Sequence, residues 1–370
     1  MRRSARTRTA TLTGAGATLL ALVVAACALS GGPVSPPAGT APGSGGSADM
    51  DATSPATSAT VAAWTPAAAV TGAPTGTVPT TSASTGPATP RPATPKPTAT
   101  PRPCGVFPAS NVWNRDVSKL PVASNSAAMV AAIGLDAYLH PDFDAVGDGI
   151  PYNVVSSATP RYSVKFEYAD ESDPGPYPIP SNPKIEKGSD RHLLAIDTGQ
   201  CKLYELYDVH GSGSSWTAGS GAVFDLRSNA LRPAGWTSAD AAGLPIYPGL
   251  VRYSEVAAGK IAHALRFTAP DTCGYIYPAR HETAAPCSDL PPMGLRVRLK
   301  ASVDISGFGP QARVVLTALK RYGMILADNG SPWYVTGAPD SRWNDDDLHQ
   351  LQQLTGADFE VVDTSALRNG

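Results

Sequence analysis

Short stretches of alternating or continuous apolar residues punctuate the second two-thirds of the chain, and their periods predict strands more often than helices. Alternation is good in 161–168 (RYSVKFEY) and clean in 261–268 (IAHALRFT). Two runs rich in aliphatic and aromatic residues, 192–196 and 202–207, flank Asp197-Thr198-Gly199-Gln200. That turn chemistry predicts a β-hairpin in which Gly199 supplies positive φ. The stretches 221–226 (GAVFDL) and 295–299 (LRVRL) predict further strands, and 111–113 an edge strand. Helical signals are fewer. The stretch 126–135 follows Ser124, a candidate cap with Ser126, and 310–322 carries the helical period between Pro310 and a stop at Gly323. The stretch 344–354 opens on the cap residue Asn344. Between these last two, strands at 324–327 and 333–336 flank Asp328-Asn329-Gly330 and predict a second hairpin. Proline-dense 170–184 and the irregular 231–248 read as loops. The pattern predicts a mainly β domain over 104–370, a two-sheet jelly-roll-like sandwich with two or three short helices.

The first third of the chain is different. Arg2, Arg3, Arg6 and Arg8 precede a short apolar run, 15–26, which has the form of an export signal and is short for a membrane span. The run ends Val24-Ala25-Ala26-Cys27, which resembles the lipobox of bacterial lipoproteins. The resemblance implies that Cys27 is lipidated and that 1–27 is the signal and anchor. Residues 28–103 are mostly Ala, Pro, Thr, Gly and Ser. Such a segment buries too little apolar area to offset its ordering entropy and predicts a disordered tether, with a mean reach of about 50 Å as a flexible coil. The expected location is outside the cytoplasm, anchored by lipid at the membrane or cell surface.

The whole chain has a formal net charge of −2 and no basic block, which excludes nucleic acid as the expected partner. A monomer is expected. Cys104, Cys201, Cys273 and Cys287 are an even set in an exported chain and predict two disulfides. The preferred pairing is Cys273–Cys287, across a short loop, with Cys104–Cys201 tying the start of the domain to the first hairpin. No CxxC spacing supports zinc. Asp142, Asp144 and Asp148, on a glycine-bearing loop, are a candidate for calcium, although the EF-hand spacing fails at Val146 and Asn153. Otherwise no metal or cofactor is expected.

No GxSxG, P-loop or GxGxxG motif is present, and His281-Glu282 fails as HExxH because Ala285 stands where the second His belongs. Candidate chemistry therefore rests on acids and histidines of the strands. Glu205 shares a strand face with Leu203 and Tyr207, an arrangement that would raise its pKa toward general-acid use. Asp225, Asp190 and Glu186 are its candidate partners, since glycoside hydrolysis uses two carboxylates. His192 follows Asp190 by two positions, and an Asp near a His fixes its tautomer. Arg266, among small neighbours, and the pair Arg280-His281 are candidate substrate-binding residues, and Arg with His would also suit a polysaccharide lyase. Trp236 and Trp343, in predicted loops, are candidate sugar platforms. His263 reads as a core histidine.

The domain also resembles a group of exported bacterial proteins without assigned activity. The resemblance rests on SDRHLLAID (189–197), GWTSADAAGLPIYPGLVRY (235–253) and RYGMILADNGS (321–331). It implies no residue role. The function expected from the residues is that of a surface-tethered hydrolase or lyase acting on a polysaccharide or cell-wall glycan. The alternative is a non-catalytic lipoprotein that binds carbohydrate or cell wall.

Overall fold

The computed structural model describes residues 104–368; the export signal, Cys27 and the tether lie outside the described residues. In chain order the strands are β1 (His140–Asp142), β2 (Tyr152–Val155), β3 (Arg161–Tyr162), β4 (Val164–Phe166), β5 (Tyr177–Pro178), β6 (Leu193–Asp197), β7 (Lys202–Tyr207) and β8 (His210–Ser212). They continue as β9 (Ser215–Ala218), β10 (Ser220–Asp225), β11 (Leu265–Ala269), β12 (Arg296–Leu299), β13 (Met324–Asn329), β14 (Tyr334–Thr336) and β15 (Phe359–Val361). The helices are α1 (Ser126–Gly134), α2 (Tyr253–Ala257), α3 (Pro310–Arg321) and α4 (Asp345–Leu348).

The fold is mainly β, with several sheets and a few short helices, as the alternation predicts. Two sheets dominate. The larger runs β1-β14-β11-β13-β12-β15 and the smaller β10-β7-β6-β2. The pairs β1/β14, β11/β13, β2/β6 and β4/β9 are parallel, a feature that jelly-roll pairing lacks. The larger sheet and its helices bury one apolar cluster that includes Phe267, Leu326 and Trp333. In α3, buried Ala312, Val315, Leu316 and Leu319 repeat at helical spacing and form the face that packs on this sheet. Asp347 of α4 accepts the Gln311 and Ala312 amides and so caps α3.

The first hairpin forms as β6–β7, antiparallel. Its positive φ falls at Cys201 (55°), while the Gly199 N–H donates a hydrogen bond to Asp197 Oδ1. Both disulfides form as expected, Cys104–Cys201 and Cys273–Cys287.

Four local expectations are corrected. The 111–113 stretch is a 3-10 turn, Val112–Asn114, because Asn111 Oδ1 accepts the Trp113 amide. The 161–168 alternation divides into β3 and β4, which pair with different strands. The 261–268 strand begins only at Leu265, since the Ala264 amide bonds to Trp113. The second hairpin does not form: β11 lies between β13 and β14.

The segment 238–251 bonds to both large sheets and ties them together. Its Ala242 amide donates to Ala327 and its Val251 amide to Thr336, while Ile246 and Tyr247 donate to Glu205 of β7.

Candidate functional site

A cavity of about 510 Å³ opens where this segment meets the ends of the two sheets. Residues 238–241 form part of its lining, with Tyr168, Glu171, Asp190, Tyr207, His281 and Asp328 around them. Asp190 enters just before β6, and its backbone carbonyl accepts the Asp208 amide beyond β7. Asp328 sits near the end of β13, its side chain 27% exposed. His281 follows the loop residue Arg280, whose amide is bonded to Ala242; its Nδ1 lies 2.8 Å from the Ala241 carbonyl and its Nε2 3.8 Å from Glu171. Donation from Nδ1 to that carbonyl would leave Nε2 as the free acceptor.

Behind the cavity wall runs a buried polar chain. Arg266 of β11 bonds Asp240 through Nε and Nη2, at 3.2 and 2.9 Å, and Thr336 through Nη1. The same Nη2 reaches Asp328 at 3.5 Å. Asp240 and Asp328 are thus two carboxylates gathered by one guanidinium, the first sealed and the second facing the cavity. Burial raises the pKa of both; Arg266 opposes the rise, and each has a neighbouring acid that adds to it, Asp328 beside Asp240 and Asp190 beside Asp328. The consequence is an acid at the cavity wall that retains its proton to higher pH than an ordinary Asp.

His192 lies within the wall rather than in the cavity. It is 3% exposed, with Nδ1 2.5 Å from Glu186 and Nε2 2.8 Å from the Ala239 carbonyl. Burial pushes its imidazole down, but the hydrogen bond and charge of Glu186 outweigh this and raise it. The His192 bridge thereby fixes the segment that lines the cavity.

Of the sequence candidates, Asp190 and His281 reach the cavity. Glu205 does not: it is fully buried, and its carboxylate accepts the Ile246 and Tyr247 amides. Both faces of β7 are covered, so the apolar neighbours on its face enclose Glu205 rather than lining an open groove. The tautomer of His192 is governed by Glu186 and not by Asp190. Arg266 is 3% exposed with its donors engaged, so no substrate carboxylate reaches it. Asp225 lies at the far end of β10, paired with Lys202 and Arg227. Arg280 donates from Nε to the Arg232 carbonyl and is outside the lining. Trp236 lies against the Arg232 guanidinium, 5.5 Å from its ring, and also lies outside the lining. Trp343 is a core residue whose indole donates to Ala338. His263 is the buried, bonded histidine expected, held by Glu255 and the Ala264 carbonyl.

In the acidic loop, Asp144 Oδ1 accepts the amides of Val146, Gly147 and Asp148, which closes the loop on itself. Among the described residues no group of three or more His, Cys, Asp or Glu side chains is placed to hold a metal ion, so the calcium candidate has no ligand set.

Sequence reasoning passed over Asp240, Asp328, Glu171 and Tyr168. A signal was available: each of the three stretches that carry the resemblance contributes to this cavity, through Asp190, through 237–241, and through Asp328 with Asn329. A scan of protein-family models finds no match, and searches of curated proteins and of solved structures find none either.

Proposed function

We propose that this is an exported, lipid-anchored glycan hydrolase whose active site is the Asp190–Asp328 cavity. The observation that carries the reading is an open cavity with a proton-retaining acid in its wall, a second carboxylate nearby and two tyrosines at its edge. Asp328 acts as general acid toward the glycosidic oxygen, and Asp190 as the base or nucleophile; glycoside hydrolysis needs such an unequal pair. Tyr168 and Tyr207 offer ring faces to sugar. Asp240 and Arg266 hold Asp328 in place. A lyase is less well supported, because Arg266 is engaged inside the wall and the lining contains no Lys or Arg to neutralise a uronate.

Cys27 supplies the anchor and 28–103 the tether, which places the cavity within reach of extracellular or wall polysaccharide. The test is release of reducing ends from a polysaccharide panel by the full chain and by Asp328→Asn and Asp190→Asn. Hydrolysis by the parent, lost in both variants without loss of the folded state, supports the assignment. Retention of a polysaccharide in an affinity gel with no product from any of the panel would favour the non-catalytic binding lipoprotein instead.

A further inference from the structure

The charges around the cavity are unbalanced. Glu171 exposes 31% of its side chain and Asp190 is exposed, so two carboxylates face the opening beside the proton-retaining Asp328. Among the residues lining the cavity there is no Lys or Arg, and His281 is the one basic side chain. The two nearest buried guanidiniums do not compensate at the surface. Arg266 is engaged by Asp240, Thr336 and Asp328, and Arg232 by Asp173, the Glu171 carbonyl and the Thr237 carbonyl. Tyr168 and Tyr207 add aromatic side chains to the lining, and aromatic rings attract cations as well as sugars. Concave walls of one sign focus their field on the opening and favour ligands of the opposite sign.

We infer that the cavity takes a hexosamine unit with a free, protonated amino group, rather than its N-acetylated form or an acidic sugar. This rests on the glycan reading of the same cavity. The ammonium would sit between the Glu171 and Asp190 carboxylates, leaving protonated Asp328 to the glycosidic oxygen, while the sugar ring meets a tyrosine. An acetamido group offers a single donor and no charge, and a uronate would face like charges.

Titration calorimetry of the full chain with tetramers of glucosamine, N-acetylglucosamine and galacturonic acid at pH 6 tests this without requiring turnover. The glucosamine tetramer should bind at least about tenfold more tightly than the other two. Its advantage should shrink as salt rises from 0.05 to 0.5 M, by screening of order-of-magnitude strength. Asp190→Asn and Glu171→Gln should each narrow the preference, and both keep the shape of the side chain they replace. Equal or tighter binding of the N-acetylated or acidic tetramer, or binding of none of the three, overturns the inference. The two readings fail separately. Selective binding of glucosamine with no cleavage of any glycan removes the hydrolase and leaves this inference; cleavage of N-acetylated or acidic glycan with no glucosamine preference does the reverse.

Discussion

Arg266 of β11 and Asp240 of the segment between the sheets form a two-bond ion pair, Nε and Nη2 on one carboxylate oxygen, with side chains 4% and 0% exposed. The pair joins the larger sheet to the segment that lines the cavity. Removing one partner leaves the other buried and uncompensated, which typically costs about 3–5 kcal/mol. Asp328 remains near Arg266, so Asp240→Ala should fall toward the lower end of that range. The double variant Asp240→Leu/Arg266→Met should lose less than the sum of the two single changes. Urea unfolding of the three variants measures this, and strict additivity would show that the two side chains are not coupled.

Glu205 is a separate case, since its partners are backbone amides. Glu205→Gln keeps an oxygen able to accept from Ile246 and Tyr247, and should lower stability by less than about 1.5 kcal/mol. Glu205→Leu leaves both amides buried without partners, at about 1–3 kcal/mol each. The difference appears as a larger shift of the denaturant midpoint for Leu than for Gln. Any glycan turnover should survive Glu205→Gln, because the carboxyl does not reach the cavity.

Features governed by neighbouring residues were legible in the sequence. The turn chemistry of 197–200 gave β6–β7, Pro310 and Gly323 bracketed α3, and both cystine pairs were correct. Features decided by distant partners were not. Nothing local shows that β11 inserts between β13 and β14, so Asp328 read as a hairpin turn and not as a cavity acid. Alternation placed Glu205 on a face with Leu203 and Tyr207, but it does not tell which faces are covered. The segment 238–251 covers Glu205, and its own sequence reads as loop. His281 was found as an exposed loop residue, whereas Asp190 was named as partner to Glu205 and His192 and reaches the cavity with neither of them.

The buried ionisable groups predict an unusual pH dependence. Burial pushes Glu205 up to about 7 from an ordinary value of 4.5, and Asp240, Asp328 and His192 are also raised. A group raised in the folded state binds more protons there than in the unfolded chain. Its contribution is therefore complete below the unfolded pKa and is lost as pH rises through the folded one. The three acids act from the ordinary carboxylate range upward and His192 only above 6.5. Against them stands the imidazole of His140, which burial lowers. The melting temperature should therefore fall as pH rises from about 4.5 to about 7.5. Lowered carboxylates such as Asp144, Asp340 and Glu255 oppose this only at more acid pH. Glu205→Gln, which cannot ionise, should flatten the decline. Calorimetric scans across this range decide it, and a melting temperature that climbs toward neutrality would contradict the assignment.

The two cystines should differ in what they contribute. Cys104–Cys201 spans 97 residues and links the start of the described domain to the end of the β6–β7 turn, whereas Cys273–Cys287 spans 14. Loop-closure entropy gives about 4.7 kcal/mol for a loop near 100 residues and about 3 kcal/mol for one near 15. The double Ser variant at 104 and 201 should therefore lose more stability than that at 273 and 287. Geometry adds to the difference, because Leu226 donates its amide to the Cys201 carbonyl, so loosening Cys201 also loosens the exit from β10. The shorter cystine closes the loop that contains His281 and Thr283, and its removal should affect the cavity more than the global fold. Denaturant unfolding of both variants, with glucosamine-tetramer binding measured alongside, separates the two effects. A larger stability loss for the 273/287 variant would refute the loop-length argument.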